Sequence, residues 1–96
     1  MDYKKQIIEF ADKIDAVKGK LVLATKSDAV YKDVVQLAEA MHSAIEGCSD
    51  EMFCAALYNA AATIRTAPES CPVFQMSEAL EEASCELRMM SEYFDN

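Results

Sequence analysis

Two glycines and two prolines are all that a chain of 96 residues offers for tight turns. A β-sandwich or barrel needs turn residues roughly every eight to twelve positions. That scarcity rules against a many-stranded fold and favours a few long helices. The length is that of one domain, with enough chain for a single modest core.

The apolar spacing agrees. Tyr3, Ile7, Phe10, Ala11, Ile14 and Val17 recur in steps of three and four, which predicts a helix over 2–18, capped by Asp2 and stopped by Gly19. Lysines 4, 5, 13 and 18 fall off that face. Val30, Val34, Leu37, Ala38, Met41 and Ile45 predict a second helix over 28–46, after Ser27. Gly47 stands where a left-handed stop is usual. Ser49 is the expected cap of a third helix over 50–66, with Asp50 and Glu51 in its first turn where the dipole favours acids.

That third segment is apolar on nearly every side. Phe53, Ala56, Leu57, Ala60, Ala61 and Ile64 form its main face, with Ala55 and Ala62 opposite, so it is expected to be the central, buried helix. Pro68 and Pro72 then predict a non-helical stretch over 67–76. Ser77 is expected to cap a last helix over 78–94 with a core stripe of Leu80, Ala83, Leu87, Met90 and Phe94. The segment 20–26, KLVLATK, is too short for periodicity to decide; a short helix or connector is preferred to a strand. The predicted fold is all-α, one domain over 1–96: a compact bundle of four main helices with short connections, and a fifth short helix near 20–26 as an option.

Charge is unevenly spread. The net charge is −8, but residues 1–36 balance at +1, 37–68 at −3 and 69–96 at −6. An acidic chain is repelled by phosphate backbones and anionic lipid, so no direct nucleic-acid or membrane partner is expected. Acidity alone also serves solubility. No run approaches the roughly 20 apolar residues of a membrane span, and no segment reads as a secretory leader. With no such leader, Cys48, Cys54, Cys71 and Cys85 are expected to be reduced, mostly buried thiols in a cytoplasmic protein.

Motifs for catalysis are sparse. Glu39-Ala-Met-His42 matches the Glu-x-x-His of di-iron bundles, but that chemistry needs two such motifs, and this chain has one histidine. The cysteines are separated by five, sixteen and thirteen residues, without the close pairs zinc requires. Cys48, just before a helix start, is the thiol best placed for a lowered pKa, and Cys54 is expected in the core. No phosphate-binding loop or nucleophile elbow occurs. Residues 37–58 resemble a helix-turn-helix in outline, but the second helix opens on Asp50 and Glu51, the wrong charge for DNA. No enzyme activity, metal or cofactor is expected.

The last helix carries the remaining signal. Cys85, Met89 and Tyr93, at i, i+4 and i+8, form a second apolar seam amid Glu78, Glu81, Glu82, Glu86 and Glu92. Apolar groups rimmed by charge have the anatomy of an interface. Alternatively another element, such as the 67–76 loop, covers the seam. On the first reading the chain is a non-enzymatic protein-binding module with a basic protein partner. Glu78, Glu82, Glu86 and Glu92 would steer association, Met89 and Tyr93 would anchor it, and Glu81 flanks the same partner-binding face. Small acidic inhibitors of nucleic-acid-binding proteins, such as anti-CRISPR proteins of phages, immunity proteins and antitoxins, offer an analogy of size and charge only. The alternative is a structural or regulatory helical subunit that self-associates, as a homo-oligomer or within a larger assembly, through the seam or the alanine-rich 50–66 helix.

Overall fold

Asp2 accepts a hydrogen bond from the Lys5 N–H at 2.9 Å and so caps helix α1, Tyr3–Leu21. The computed structural model describes residues 2–21 and 27–94. Within them follow α2, Asp28–Glu46, α3, Glu51–Arg65, and α4, Val73–Ser91. The apolar stripes form the core: Ile7, Ile14, Val34, Met41, Phe53, Leu57, Ile64, Leu80 and Leu87 are all essentially without exposure.

Each helix packs on its neighbours in chain order, and α4 closes the ring on α1, while α1 and α3 lie diagonally and barely touch. Tyr3, at the start of α1, stacks at 4.7 Å on Phe53, at the start of α3, and lies 6.0 Å from Phe94, just past the end of α4. Its hydroxyl accepts from the Cys48 thiol, just past the end of α2, at 3.3 Å. One end of the bundle thus gathers the starts of α1 and α3 with the finishes of α2 and α4. That is the up-down-up-down arrangement short loops enforce.

Several expected boundaries move. Gly19 does not stop α1, which runs on to Leu21. A glycine inside a helix costs about 0.5–1 kcal/mol relative to alanine. Burying a leucine returns about 1.5–3 kcal/mol, and Leu21 is buried. Lys20 and Leu21 therefore belong to α1, and the rest of the optional fifth helix, 22–26, lies outside the described residues. Gly47 is not left-handed: its φ is −90°, and the turn closes through the Cys48 N–H to the Ile45 carbonyl at 3.1 Å. The α3 cap is Asp50 rather than Ser49, its carboxylate accepting from the Phe53 N–H at 2.9 Å. A full negative charge at the positive end of the dipole serves that position better than a hydroxyl.

The largest correction concerns α4. It starts at Val73, not after Ser77, with Pro72 as its N-cap. Proline breaks a helix that arrives at it, but its missing N–H is no loss at a helix start. The extra turn buries Met76. Nor is α3 buried on all sides. Ala55, Ala62 and Tyr58 are exposed, because a ring of four helices has no central member. The link from α3 to α4 is pinned by Ser27, whose buried hydroxyl donates to the Cys71 carbonyl at 2.5 Å.

Candidate functional site

Helix α4 turns its apolar stripe inward and leaves a long outer face. Glu78, Glu82, Cys85, Met89, Glu92 and Tyr93 belong to that face, with Met89 at 68% and Tyr93 at 71% of full exposure. The 66–72 link is spent in joining α3 to α4 and does not cover them. The seam of Cys85, Met89 and Tyr93 is therefore open in the isolated chain.

The other two predicted residues lie on the flanks. Glu81 leans toward α1 and approaches Lys18 at 3.6 Å, an exposed pair of little energetic weight. Glu86 turns toward α3. It is half-buried and lies 3.4 Å from the Thr63 hydroxyl, whose single proton goes chiefly to the Asn59 backbone carbonyl at 2.9 Å, so Glu86 gains at most a long and weak hydrogen bond.

The one base on α4 is engaged elsewhere. Arg88 donates to Asp12 at 2.8 Å and Asp15 at 2.5 Å, both on α1. Hydrogen bonds to Asp12 and then Asp15 raise the guanidinium pKa further above its ordinary value. Burial pushes the Asp15 carboxyl up, but hydrogen bonds from Arg88 and Ser84 outweigh it and hold the carboxyl below its usual range. Arg88 thus staples α4 to α1 and neutralises acids there, and among the described residues Glu78, Glu82 and Glu92 of the outer face form no ion pair.

Phe74, in the 67–76 stretch expected to be non-helical, joins this face. At 67% exposure it stands on the same broad face as Met89, fifteen residues earlier, or about 22 Å along the axis. The signal is present: Phe74, Glu78, Glu82, Cys85 and Met89 continue one helical spacing. Taking Pro72 as the middle of a loop hides it. The α3 contribution is also absent from the sequence pattern. A groove of about 260 Å³ runs between α3 and α4, lined by Ala56 and Asn59 on one side and Glu86, Met89, Met90 and Tyr93 on the other. A hollow of about 280 Å³ between α1 and α2 is similar in size, but Asp33, its one acid, is already held by Lys20 at 3.0 Å.

His42 is half-buried, its ring 6.2 Å from that of Tyr58, and Glu39 is exposed. Among the described residues no group of three or more His, Cys, Asp or Glu side chains could hold a metal ion. All four cysteines are free, but only Cys71 is fully buried; Cys48 and Cys54 are half-buried and Cys85 is exposed. Cys48 sulfur accepts the Asp50 N–H at 3.3 Å, and the Cys54 thiol points at the Cys48 carbonyl at 3.6 Å. Burial, then the neighbouring Cys48, pushes the Cys54 thiol up, away from the thiolate. Hydrogen bonding to Cys48, then burial, raises the Tyr3 hydroxyl likewise. No helix among the described residues is long and apolar enough to cross a membrane.

No protein-family model matches this chain, and neither a curated protein nor a solved structure shows significant similarity to it. The class its fold defines is a four-helix up-down bundle.

Proposed function

We propose that this chain is a non-enzymatic protein-binding module that engages a basic partner through the outer face of α4. The observation that carries the reading is the open seam of Met89 and Tyr93, set among glutamates whose helix has its one base, Arg88, turned to the opposite flank. Glu78, Glu82 and Glu92 steer the encounter; Met89, Tyr93 and Phe74 bury apolar area once it is made. A partner that binds nucleic acid presents a surface complementary to such a face. The chain would then act as an inhibitor or regulator by occupying the surface that otherwise binds phosphate. A cytoplasmic setting, where the four thiols stay reduced, suits this reading.

Self-association through the same face is the weaker reading. A two-fold contact sets the same patch of both copies against itself, which here means glutamates against glutamates.

The test is capture on the immobilised chain from nuclease-treated lysate, then association kinetics with the purified protein recovered. Glu78 and Glu82 make no side-chain hydrogen bond or ion pair among the described residues, so their double change to Gln leaves the fold intact. The expected result is a basic, nucleic-acid-binding protein whose association slows roughly tenfold or more in the double variant and in high salt. An association rate indifferent to both changes overturns electrostatic steering. Recovery of the chain alone, as a defined multimer, would favour a self-assembling subunit.

A further inference from the structure

The α3–α4 groove differs from the rest of the acidic face. Its volume, about 260 Å³, falls below the roughly 300–1,000 Å³ of sites for whole small molecules. It suits one long side chain. Its lining is of three kinds: the half-buried Glu86 carboxylate with the Asn59 amide, the Met89 and Met90 thioethers, and the Tyr93 ring. Among the described residues Glu86 has only the long contact with Thr63, whose proton goes chiefly to the Asn59 backbone carbonyl, so its oxygens retain acceptor capacity. Arg88 is engaged by Asp12 and Asp15, and no lysine or arginine among the described residues lines the groove.

We propose that this groove receives one arginine side chain of the partner, with Glu86 taking the guanidinium, Tyr93 stacking on it and the methionines packing its stem. The inference rests on the reading of α4 as the partner-binding face and names the anchor for it. Charge complementarity selects a cation. The lining selects arginine over lysine. A planar guanidinium can pair with a carboxylate through two parallel hydrogen bonds and can stack on an aromatic face, whereas an ammonium is a compact, strongly hydrated point charge. Polarizable, unbranched methionines adapt to a stem of variable path. The guanidinium has donors to spare for the Asn59 carbonyl oxygen as well.

The experiment is an NMR titration of the full chain, carrying labelled methionine methyl groups, with N-acetyl-argininamide, N-acetyl-lysinamide and N-acetyl-citrullinamide as probes. Citrulline keeps the shape of arginine and removes its charge. The expected result is saturable shifts at Met89 and Met90 with the arginine probe in the millimolar range. The lysine probe should bind at least severalfold more weakly, and the citrulline probe should not saturate. Glu86→Gln, nearly isosteric and able to keep the Thr63 contact, should abolish saturation. Asn59→Trp, whose ring reaches into the groove while sparing every carboxylate, should do the same. Equal response to arginine and lysine, or saturation that survives both variants, overturns the arginine pocket. So does an absence of shifts at Met89 and Met90. Those outcomes leave the steering reading standing, because it is read separately from Glu78 and Glu82 in the partner's association rate.

Discussion

Ser27 shows how much one hydroxyl can decide. It is fully buried, and its Oγ donates to the Cys71 carbonyl 44 residues away. Ser27→Ala leaves that carbonyl unpaired in the interior, at a cost of about 1–3 kcal/mol. For a domain of this size each kcal/mol lowers Tm by roughly 4–8 °C, so a thermal melt should fall visibly; an unchanged Tm would show that water reaches the carbonyl. The same scale holds the pH dependence. The carboxyl of Asp15 is held below its ordinary range by Arg88 and Ser84 against the opposing effect of burial. A lowered folded-state pKa contributes stability above the unfolded value, near 4, and that contribution is lost as pH falls through the folded value. Both partners are more than two-fifths exposed, which screens the pair to below about 1 kcal/mol. Arg88→Gln should therefore lower unfolding free energy slightly at pH 7 and not at all once the carboxyl is protonated. Equal losses at neutral and strongly acid pH would mean the arginine acts through packing of its stem. Neither contact is legible in the sequence. Which side chains face the core follows from local periodicity, as Val30, Val34, Leu37 and Met41 show, but a hydroxyl's distant partner does not.

At the scale of the element, α4 is where sequence and structure part. The apolar stripe of Leu80, Ala83 and Leu87 is legible because burial imposes the helical period directly. The helix start is not, because Pro72 ends any helix arriving from its N-terminal side yet permits one to begin on its C-terminal side. The consequence is measurable. If Val73–Met76 is a helical turn docked on the core, Met76→Ala costs about 2–5 kcal/mol. Phe74→Ala, two residues away and facing solvent, should stay within about 0.5 kcal/mol. Comparable losses in denaturant unfolding at the two positions would undock that turn. The α3 start allows a second comparison. Asp50→Ala should cost about 0.5–2 kcal/mol and Ser49→Ala close to nothing, since only Asp50 accepts from the Phe53 N–H. Both residues are good caps by propensity, and the charge advantage of Asp50 counts only once the need to bury Phe53 has set the register.

On the scale of the whole molecule, the distribution of charge matters more than its total of −8. The N-terminal third is balanced, and its lysines reach the acidic end through Lys18–Glu81, while Arg88 is returned to α1. These crossings neutralise the α1–α4 flank, and among the described residues the acids on the outer face and the α3 side of α4 form no ion pair. The seam at 85, 89 and 93 is visible in the sequence, but its exposure is not. Exposure depends on whether any other segment can reach it, and the link that could have done so is shortened by the extra turn of α4. An exposed apolar strip would ordinarily favour dimerisation. Here a two-fold axis through α4 would bring Glu78, Glu82 and Glu92 of one copy against those of the other, unscreened once water is excluded. The chain should therefore sediment as a monomer at low salt, with any self-association growing as salt rises and the glutamates are screened. A dimer that is strongest at low salt would reverse that order. It would require a contact between the lysine-bearing N-terminal region of one copy and the acidic α4 face of the next, and the partner of α4 would then be the chain itself.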